Sequence, residues 1–107
     1  MPPATLSATA RRDMLAAASW IARDSRKASH QFRERLKVAL IRLGEYPRTG
    51  VTRPDIAHEI YRFAALSGFP YVLVYNSRHQ PPVIMRILHG SQDLPEILST
   101  LPSPDGP

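Results

Sequence analysis

Cysteine is absent from this chain of 107 residues, and acidic side chains are scarce. Without cysteine, disulfide bonds, thiolate nucleophiles and cysteine-ligated metal sites are excluded. No apolar run approaches the roughly 20 residues that a helix needs to cross a bilayer. Residues 1–6 do not combine a basic segment with an apolar core, so the sequence predicts a cytoplasmic protein. It also contains no metal motif and no glycine-rich phosphate loop, so we expect neither a metal ion nor a cofactor.

Positive charge is plentiful but unevenly distributed. The chain has a net charge of +5, and residues 1–53 carry eleven Lys or Arg against four acids, whereas residues 54–107 carry three against five. A basic half indicates an acidic partner, either nucleic acid or an acidic protein segment. A solvent-exposed helix face would account for the same charge. The charge alone therefore does not distinguish a binding surface for an acidic partner from an ordinary exposed helix.

The length predicts a single domain over residues 1–101, followed by a disordered tail over residues 102–107 that is rich in proline. Apolar residues recur at intervals of three and four from about Ala8 to Arg23, and again after Ser25 as far as Gly44. Ser7 or Thr9 can cap the first helix, and Asp24-Ser25 can cap the second. Helices separated by so short a link must form an antiparallel hairpin. We expect Gly44 to end the second helix, and Trp20 to wedge the hairpin onto a sheet.

Residues typical of β-strands predominate in the second half of the chain. The segment Ala4–Ser7 is a short strand or a plain lead-in, and residues 45–55 read as a loop. Strands are predicted at residues 58–65, 71–75 and 83–89, and Asp93 can cap a short final helix over residues 94–101. The order β-α-α-β-β-β predicts an α+β fold, in which the helical hairpin packs on a small antiparallel β-sheet.

Two polar side chains near the end of the last strand are candidate functional groups. By alternation Arg86 shares a strand face with Ile84 and Leu88. Its charge requires either a ligand or an ion pair, for which Asp93 and Glu59 are the candidates. His89 could serve as a general acid or base, or it could be a structural residue at the strand end.

The sequence of these strands resembles that of a known toxin family. Residues 70–75 read Pro-Tyr, three apolar residues and Tyr, and residues 86–93 read Arg, an apolar residue, Leu-His-Gly, two further residues and Asp. This pattern is similar to the C-terminal hairpin of ParE-type toxins of type II toxin–antitoxin systems, and the similarity extends from Ser7 to about Leu98. The resemblance implies the fold of the RelE/ParE superfamily.

The resemblance also implies a function. ParE-type toxins bind and inhibit DNA gyrase until a cognate antitoxin neutralises them, so we expect a binding protein that is not an enzyme. The antitoxin would be ParD-like, with an acidic and apolar tail lying in an apolar groove that a two-layer fold leaves open. On this interpretation the target-binding residues are Arg86, His89, Gly90 and Asp93, and the antitoxin-binding residues are Arg33, Lys37, Leu40 and Tyr75.

Two other functions stay open on the sequence. The first is a ribosome-dependent mRNA endonuclease of the RelE kind, in which His89 and Arg86 would be catalytic. RNA-cleaving relatives carry an arginine at the start of the penultimate strand, and some carry His-Tyr at the end of the last. This chain has Phe69-Pro70-Tyr71 and Gly90 at those places, which favours the gyrase inhibitor. The second is a basic nucleic-acid-binding module, although sequence-specific binding is not expected.

Overall fold

The computed structural model describes residues 1–103 and confirms the predicted α+β fold class. Residues 104–107, most of the predicted tail, lie outside the described residues. The five strands are β1 (Thr5–Leu6), β2 (Val51–Thr52), β3 (Tyr61–Ala65), β4 (Tyr71–Asn76) and β5 (Val83–His89), and the three helices are α1 (Ala8–Ala22), α2 (Arg26–Glu45) and α3 (Leu94–Leu98).

Serine side chains begin both long helices, as predicted. The Ser7 hydroxyl accepts a hydrogen bond from the Ala10 N–H, and the Ser25 hydroxyl accepts one from the Ala28 N–H, each at 3.0 Å. Each bond satisfies a backbone donor that the first helical turn leaves unpaired. Ser7 also donates to the Met85 carbonyl at 3.1 Å. The cap of α1 is therefore attached directly to β5.

The sheet is mixed and has the strand order β1-β5-β4-β3-β2. β1 pairs with β5 in parallel, whereas the other three pairs are antiparallel, so the prediction of a purely antiparallel sheet is incomplete. β2 lies in the stretch that was predicted to be a loop. Strands of two residues are too short to show a period of two, which is why the sequence pattern does not reveal them.

A register shift in β5 changes which residues share a face. Val74 pairs with Arg86 and Tyr75 pairs with Ile84, so Met85 has no counterpart on β4. An extra residue of this kind is a β-bulge. It shifts the alternation of side chains between the two sheet faces, so residues before and after the bulge are out of phase. Ile84 therefore lies in the core beneath the helices, whereas Leu88 packs on the opposite sheet face. The prediction that Ile84 and Leu88 share a face is wrong for this reason.

Both faces of the sheet are covered, which the length of the chain did not lead us to expect. Between the helical hairpin and the sheet, the core includes Phe32, Leu36, Leu73, Tyr75 and Ile84. On the opposite face α3 and the segment before β3 cover a second core, formed by Ile60, Tyr61, Phe63, Val74, Leu88 and Leu98.

Gly44 has a different role from the one predicted. α2 continues through Gly44 to Glu45, so the glycine does not end the helix. A Cβ at this position would overlap the Pro2 carbonyl oxygen and come within 2.8 Å of the Pro3 Cα. The Ala4 N–H donates to the Leu40 carbonyl at 2.8 Å beside this contact. Gly44 therefore lets the N-terminal segment lie against α2, which positions β1 at the edge of the sheet.

Candidate functional site

Arg86 forms a bidentate ion pair with Asp13 of α1. The Arg86 Nε lies 2.7 Å from Asp13 Oδ2, and the Arg86 Nη2 lies 3.1 Å from Asp13 Oδ1. Only 22% of the Arg86 side chain and 16% of the Asp13 side chain are exposed. The hydrogen bonds that Arg86 donates to Asp13 raise the pKa of Arg86, and partial burial opposes this rise. Arg86 is thus charged and held by a partner 73 residues earlier in the chain.

The same carboxylate closes the outer edge of β5. β1 pairs with β5 only at Val83 and Ile84, so the rest of that edge lacks a neighbouring strand. Asp13 Oδ2 accepts the Ile87 N–H at 2.9 Å, and the Gln92 side chain accepts the His89 N–H at 2.7 Å. Side chains therefore satisfy the donors that an exposed strand edge would otherwise offer to another chain.

Neither predicted partner of Arg86 contacts it. Asp93 caps α3 by accepting the Glu96 N–H at 3.4 Å, and Glu59 pairs with Arg78 at 3.2 Å. Asp93 is therefore a capping residue, as the sequence also indicated. The prediction of an Arg86 ion pair with Asp93 or Glu59 is wrong, although Arg86 does form an ion pair, one of the two alternatives that the sequence left open.

His89 ends β5 beside an aromatic cluster. Its ring stands edge-on to Tyr71, with 5.2 Å between centroids. Its Nδ1 lies 3.0 Å from the Ser91 backbone nitrogen, which donates to it, and 2.8 Å from the Ser91 hydroxyl. Tyr71 and Phe69 both pack on Phe32, with centroids 5.3 and 5.5 Å apart. Phe69 and Tyr71 therefore line a shallow depression beside His89, which Asp24 also lines, and Asp13 lines an adjoining depression that His89 shares.

Gly90 leaves the strand without a left-handed backbone. Gly68 is the one glycine with a positive φ among the described residues, and the Gly90 N–H donates to the Pro70 carbonyl at 2.9 Å. A Cβ on Gly90 would lie 3.7 Å from that carbonyl oxygen, which is ordinary contact. The turn at Gly90 therefore does not require glycine.

Trp20 lies on the surface next to this strand end, and the prediction that it wedges the hairpin onto the sheet is wrong. Its side chain is 62% exposed, and the guanidinium carbon of Arg23 sits 4.8 Å from the centre of its ring. Trp20, Tyr71 and His89 together line two shallow adjoining depressions. Phe32 occupies the core position that the sequence assigned to the tryptophan.

The four residues predicted to bind an antitoxin do not share a surface. Arg33 and Lys37 are exposed on α2, and Lys37 lies 3.9 Å from Glu34. Leu40 is partly buried against the core. Tyr75 is fully buried: its hydroxyl donates to the Pro47 carbonyl at 2.7 Å and accepts the Gly50 N–H at 2.9 Å. Burial raises the pKa of Tyr75. In this conformation Tyr75 is a buried structural residue that a partner protein could not contact.

An apolar groove does exist, on a different side of α2. It has a volume of about 520 Å³ and lies between α2 and β3, where Val38, Ala39 and Leu43 face Ala64 and Leu66, with Arg35 and Arg42 also in its lining. At 3.6 residues per turn, Arg33 lies about half a turn from Arg42. The predicted apolar groove is present, and the four residues predicted to bind the antitoxin lie outside its lining. The spacing of Arg35, Val38 and Arg42 by three and four was the signal that could have located it.

Within residues 1–103 no group of three or more His, Asp or Glu side chains is placed to hold a metal ion. None of the helices in that range is long and apolar enough to span a membrane.

The comparisons with known proteins agree with the pattern in β4 and β5. No curated protein matches this sequence. The family model described as the ParE toxin of type II toxin–antitoxin systems, parDE, matches residues 4–94, which include both long helices, all five strands and the His89-Gly90 turn. The chain therefore belongs to the ParE toxin family, as a toxin of a type II toxin–antitoxin system.

Proposed function

We propose that this toxin binds DNA gyrase and inhibits it by contact, with no chemistry of its own, and that a cognate antitoxin neutralises it. Such a protein acts in the cytoplasm, where gyrase and the antitoxin are found. The observation that carries the proposal is the aromatic packing at the strand end. Where RNA-cleaving relatives place an arginine, this chain has Phe69 and Tyr71, both packed on Phe32.

The surroundings of His89 also support binding rather than catalysis. A general acid–base catalyst needs a partner that orients the ring and a second group that stabilises charge in the reaction. The hydrogen-bonding partner of the His89 ring is the neighbouring Ser91. Arg86, the nearest cation on the same strand, has its Nε and one Nη engaged by Asp13.

We assign the target-facing surface to Trp20, His89 and Gly90. An exposed tryptophan flanked by a cation is the kind of side chain that contributes most to protein–protein affinity. Trp20 and His89 line the same shallow depressions, and Gly90 continues from His89 at the open end of β5. This assignment keeps two of the predicted target-binding residues, and leaves Arg86 and Asp93 as residues that shape the strand end.

The antitoxin is expected to occupy the groove between α2 and β3. Val38 and the nearby Ile41 are 61% and 46% exposed, an uncommon level for large aliphatic side chains on one helix face. Arg35 and Arg42 lie in the same lining and would attract acidic residues that flank apolar anchors. β2 pairs only with Arg62 and Phe63 of β3, so Ala64 and Ala65 offer an adjacent strand edge to an extended tail.

A ribosome assay tests the absence of chemistry. Purified toxin added to translating ribosomes should produce no new mRNA ends at any concentration that stops growth. The RNA-cleaving control must be a RelE-type toxin assayed in parallel. Cleavage that disappears in a folded His89→Ala variant would overturn the proposal and establish the endonuclease.

A pair of matched variants tests the groove. Val38→Glu places a negative charge in the groove lining, and should weaken antitoxin binding by at least tenfold because it repels acidic flanks and removes an apolar contact. Leu15→Glu makes the same change at a 48% exposed position on α1 and should leave binding unchanged. Isothermal titration with the antitoxin tail measures both. Equal losses in the two variants would remove the groove from the interface.

A further inference from the structure

A second concave site lies at the opposite end of the sheet from His89. His89 pairs with Tyr71 at the start of β4, whereas Arg62 pairs with Tyr75 near its end. A cavity of about 560 Å³ at this second end is lined by Arg48, Arg62 and Arg78, together with Glu59 and the hydroxyl-bearing residues Thr52 and Ser77. Three guanidinium groups and one carboxylate thus converge on one depression. Neither the target surface nor the antitoxin groove includes these arginines.

Arg62 is held in a fixed position by the surrounding backbone. Its Nη1 donates to the Gly50 carbonyl at 2.7 Å, and the Gly50 N–H in turn donates to the buried Tyr75 hydroxyl at 2.9 Å. A Cβ on Gly50 would come within 2.8 Å of both the Phe63 carbonyl and the Tyr75 hydroxyl, so the loop is packed tightly against the sheet. The guanidinium of Arg62 is therefore preorganised by a chain of hydrogen bonds that leads into the core.

The hydrogen-bonding capacity of this cluster is largely unused. A guanidinium carries five N–H donors. Within residues 1–103, one N–H of Arg62 donates to the Gly50 carbonyl. Arg48 makes no hydrogen bond or ion pair with any described residue. Arg78 is held by Glu59 at 3.2 Å through one Nη. The cavity thus keeps an excess of positive charge with donors directed from several elements.

We propose that Arg48, Arg62 and Arg78 form a binding site for a phosphate group, carried by a nucleotide or by a nucleic-acid backbone. Several arginines around one concavity match the oxygens of a phosphate, because the planar guanidinium donates in pairs and is weakly hydrated. The hydroxyl group of Thr52 in the lining is suited to the same anion, whereas the Ser77 hydroxyl already donates to the Ile60 carbonyl at 3.1 Å. A cavity of this volume holds more than a single phosphate, which fits an ester better than the inorganic ion. This site is independent of gyrase inhibition and of the antitoxin groove.

Titration of the full-length chain with pyrophosphate, ATP and a short DNA duplex tests the site and identifies the source of the phosphate. Binding of pyrophosphate or ATP at millimolar concentration or below, with backbone amide shifts at Gly50, Arg62 and Ser77, assigns the site to nucleotides. Binding confined to the duplex, with shifts at the same amides, assigns it to a nucleic-acid backbone. Absence of saturable binding by all three ligands would overturn the proposal.

Charge-matched variants distinguish a specific phosphate-binding site from non-specific electrostatic attraction to a basic protein. Arg48→Gln should weaken binding about tenfold, since it removes charge-assisted hydrogen bonds to the ligand while breaking no hydrogen bond or ion pair within residues 1–103. Arg33→Gln removes the same charge from an exposed position on α2 and should have little effect. Arg62→Lys preserves the charge but not the paired donors, and should also lose affinity. If Arg33→Gln weakens binding as much as Arg48→Gln, the attraction is diffuse and the site does not exist.

Discussion

The Asp13 carboxylate performs two structural tasks at once. It pairs with Arg86 in a bidentate geometry and accepts the Ile87 N–H from the open edge of β5. The pair is mostly shielded from water, so its interaction is screened less than that of a surface pair. Asp13 therefore attaches α1 to the C-terminal half of β5, and Ser7 attaches it at Met85.

Replacing Asp13 by alanine should lower the free energy of unfolding by about 2 kcal/mol, because the substitution leaves a shielded cation and a backbone donor without their acceptor. Asp55→Ala removes a carboxylate from an exposed pair with Arg53 and serves as the control. Urea unfolding at neutral pH measures both variants. If Asp13→Ala behaves like Asp55→Ala, the ion pair contributes nothing to the fold.

The sequence predicted that Arg86 needs a ligand or an ion pair, but it did not identify Asp13 as the partner. Asp13 is the first acid of the chain, and 73 residues separate it from its partner. A pairing of this range follows from the packing of α1 on β5, which no local pattern encodes. The exposure of Trp20 could not be predicted from the sequence either, because a large apolar side chain in a helix is not necessarily buried.

At the scale of elements, the N-terminal segment depends on the absence of a side chain at Gly44. The backbone of Pro2 and Pro3 lies where a Cβ would be, and β1 follows directly from this contact. Gly44→Ala should therefore displace the segment and lower the free energy of unfolding by about 1–3 kcal/mol, the usual range for overpacking.

Gly90→Ala is the matched control for this prediction, because its Cβ would meet only ordinary contact and its backbone is not left-handed. Thermal unfolding should show a lower midpoint for Gly44→Ala and an unchanged midpoint for Gly90→Ala. Hydrogen exchange at Thr5 and Ser7, whose N–H groups donate to the Pro82 and Ile84 carbonyls at 2.9 Å, would report the displacement directly. Equal stability of the two variants would show that the segment adjusts without cost.

Helix boundaries followed from the sequence more closely than sheet details did. The capping serines precede apolar positions at helical spacing, so local chemistry places the starts of α1 and α2 to within a few residues, with Thr9 and Asp24 as the other candidate caps. The bulge at Met85 is different, because it depends on how β4 and β5 align and inverts the faces that simple alternation assigns. β1 and β2 each consist of two residues and exist through pairing with a neighbour rather than through their own pattern.

At the scale of the whole molecule, the exposed features lie on separate surfaces. Trp20 and His89 lie at one end of the sheet, the apolar groove runs along the outer side of α2, and the arginine cavity lies at the other end. A toxin organised in this way could be bound by its antitoxin without direct coverage of the target surface. Neutralisation would then require either a bulky antitoxin or a change at the strand end.

The sequence resemblance predicted the family, but not this division of the surface. Three of the four residues predicted to bind the antitoxin, Arg33, Lys37 and Leu40, belong to the basic half of the chain, where the sequence reveals charge but not the direction of each side chain. Arg33 and Arg42 are indistinguishable by composition, yet only Arg42 lines the groove. The packing of α2 against β3, rather than the sequence, therefore determines which arginines line the groove.

The central claim is that this toxin inhibits gyrase by contact at the end of β5, and a supercoiling assay with purified gyrase tests it most directly. Wild-type toxin should inhibit supercoiling, equimolar antitoxin should restore it, and Trp20→Ala should require about tenfold more toxin because a dominant contact is lost. Leu15→Ala, an exposed change elsewhere on α1, should inhibit like the wild type. Full supercoiling activity in the presence of excess folded wild-type toxin would contradict the account.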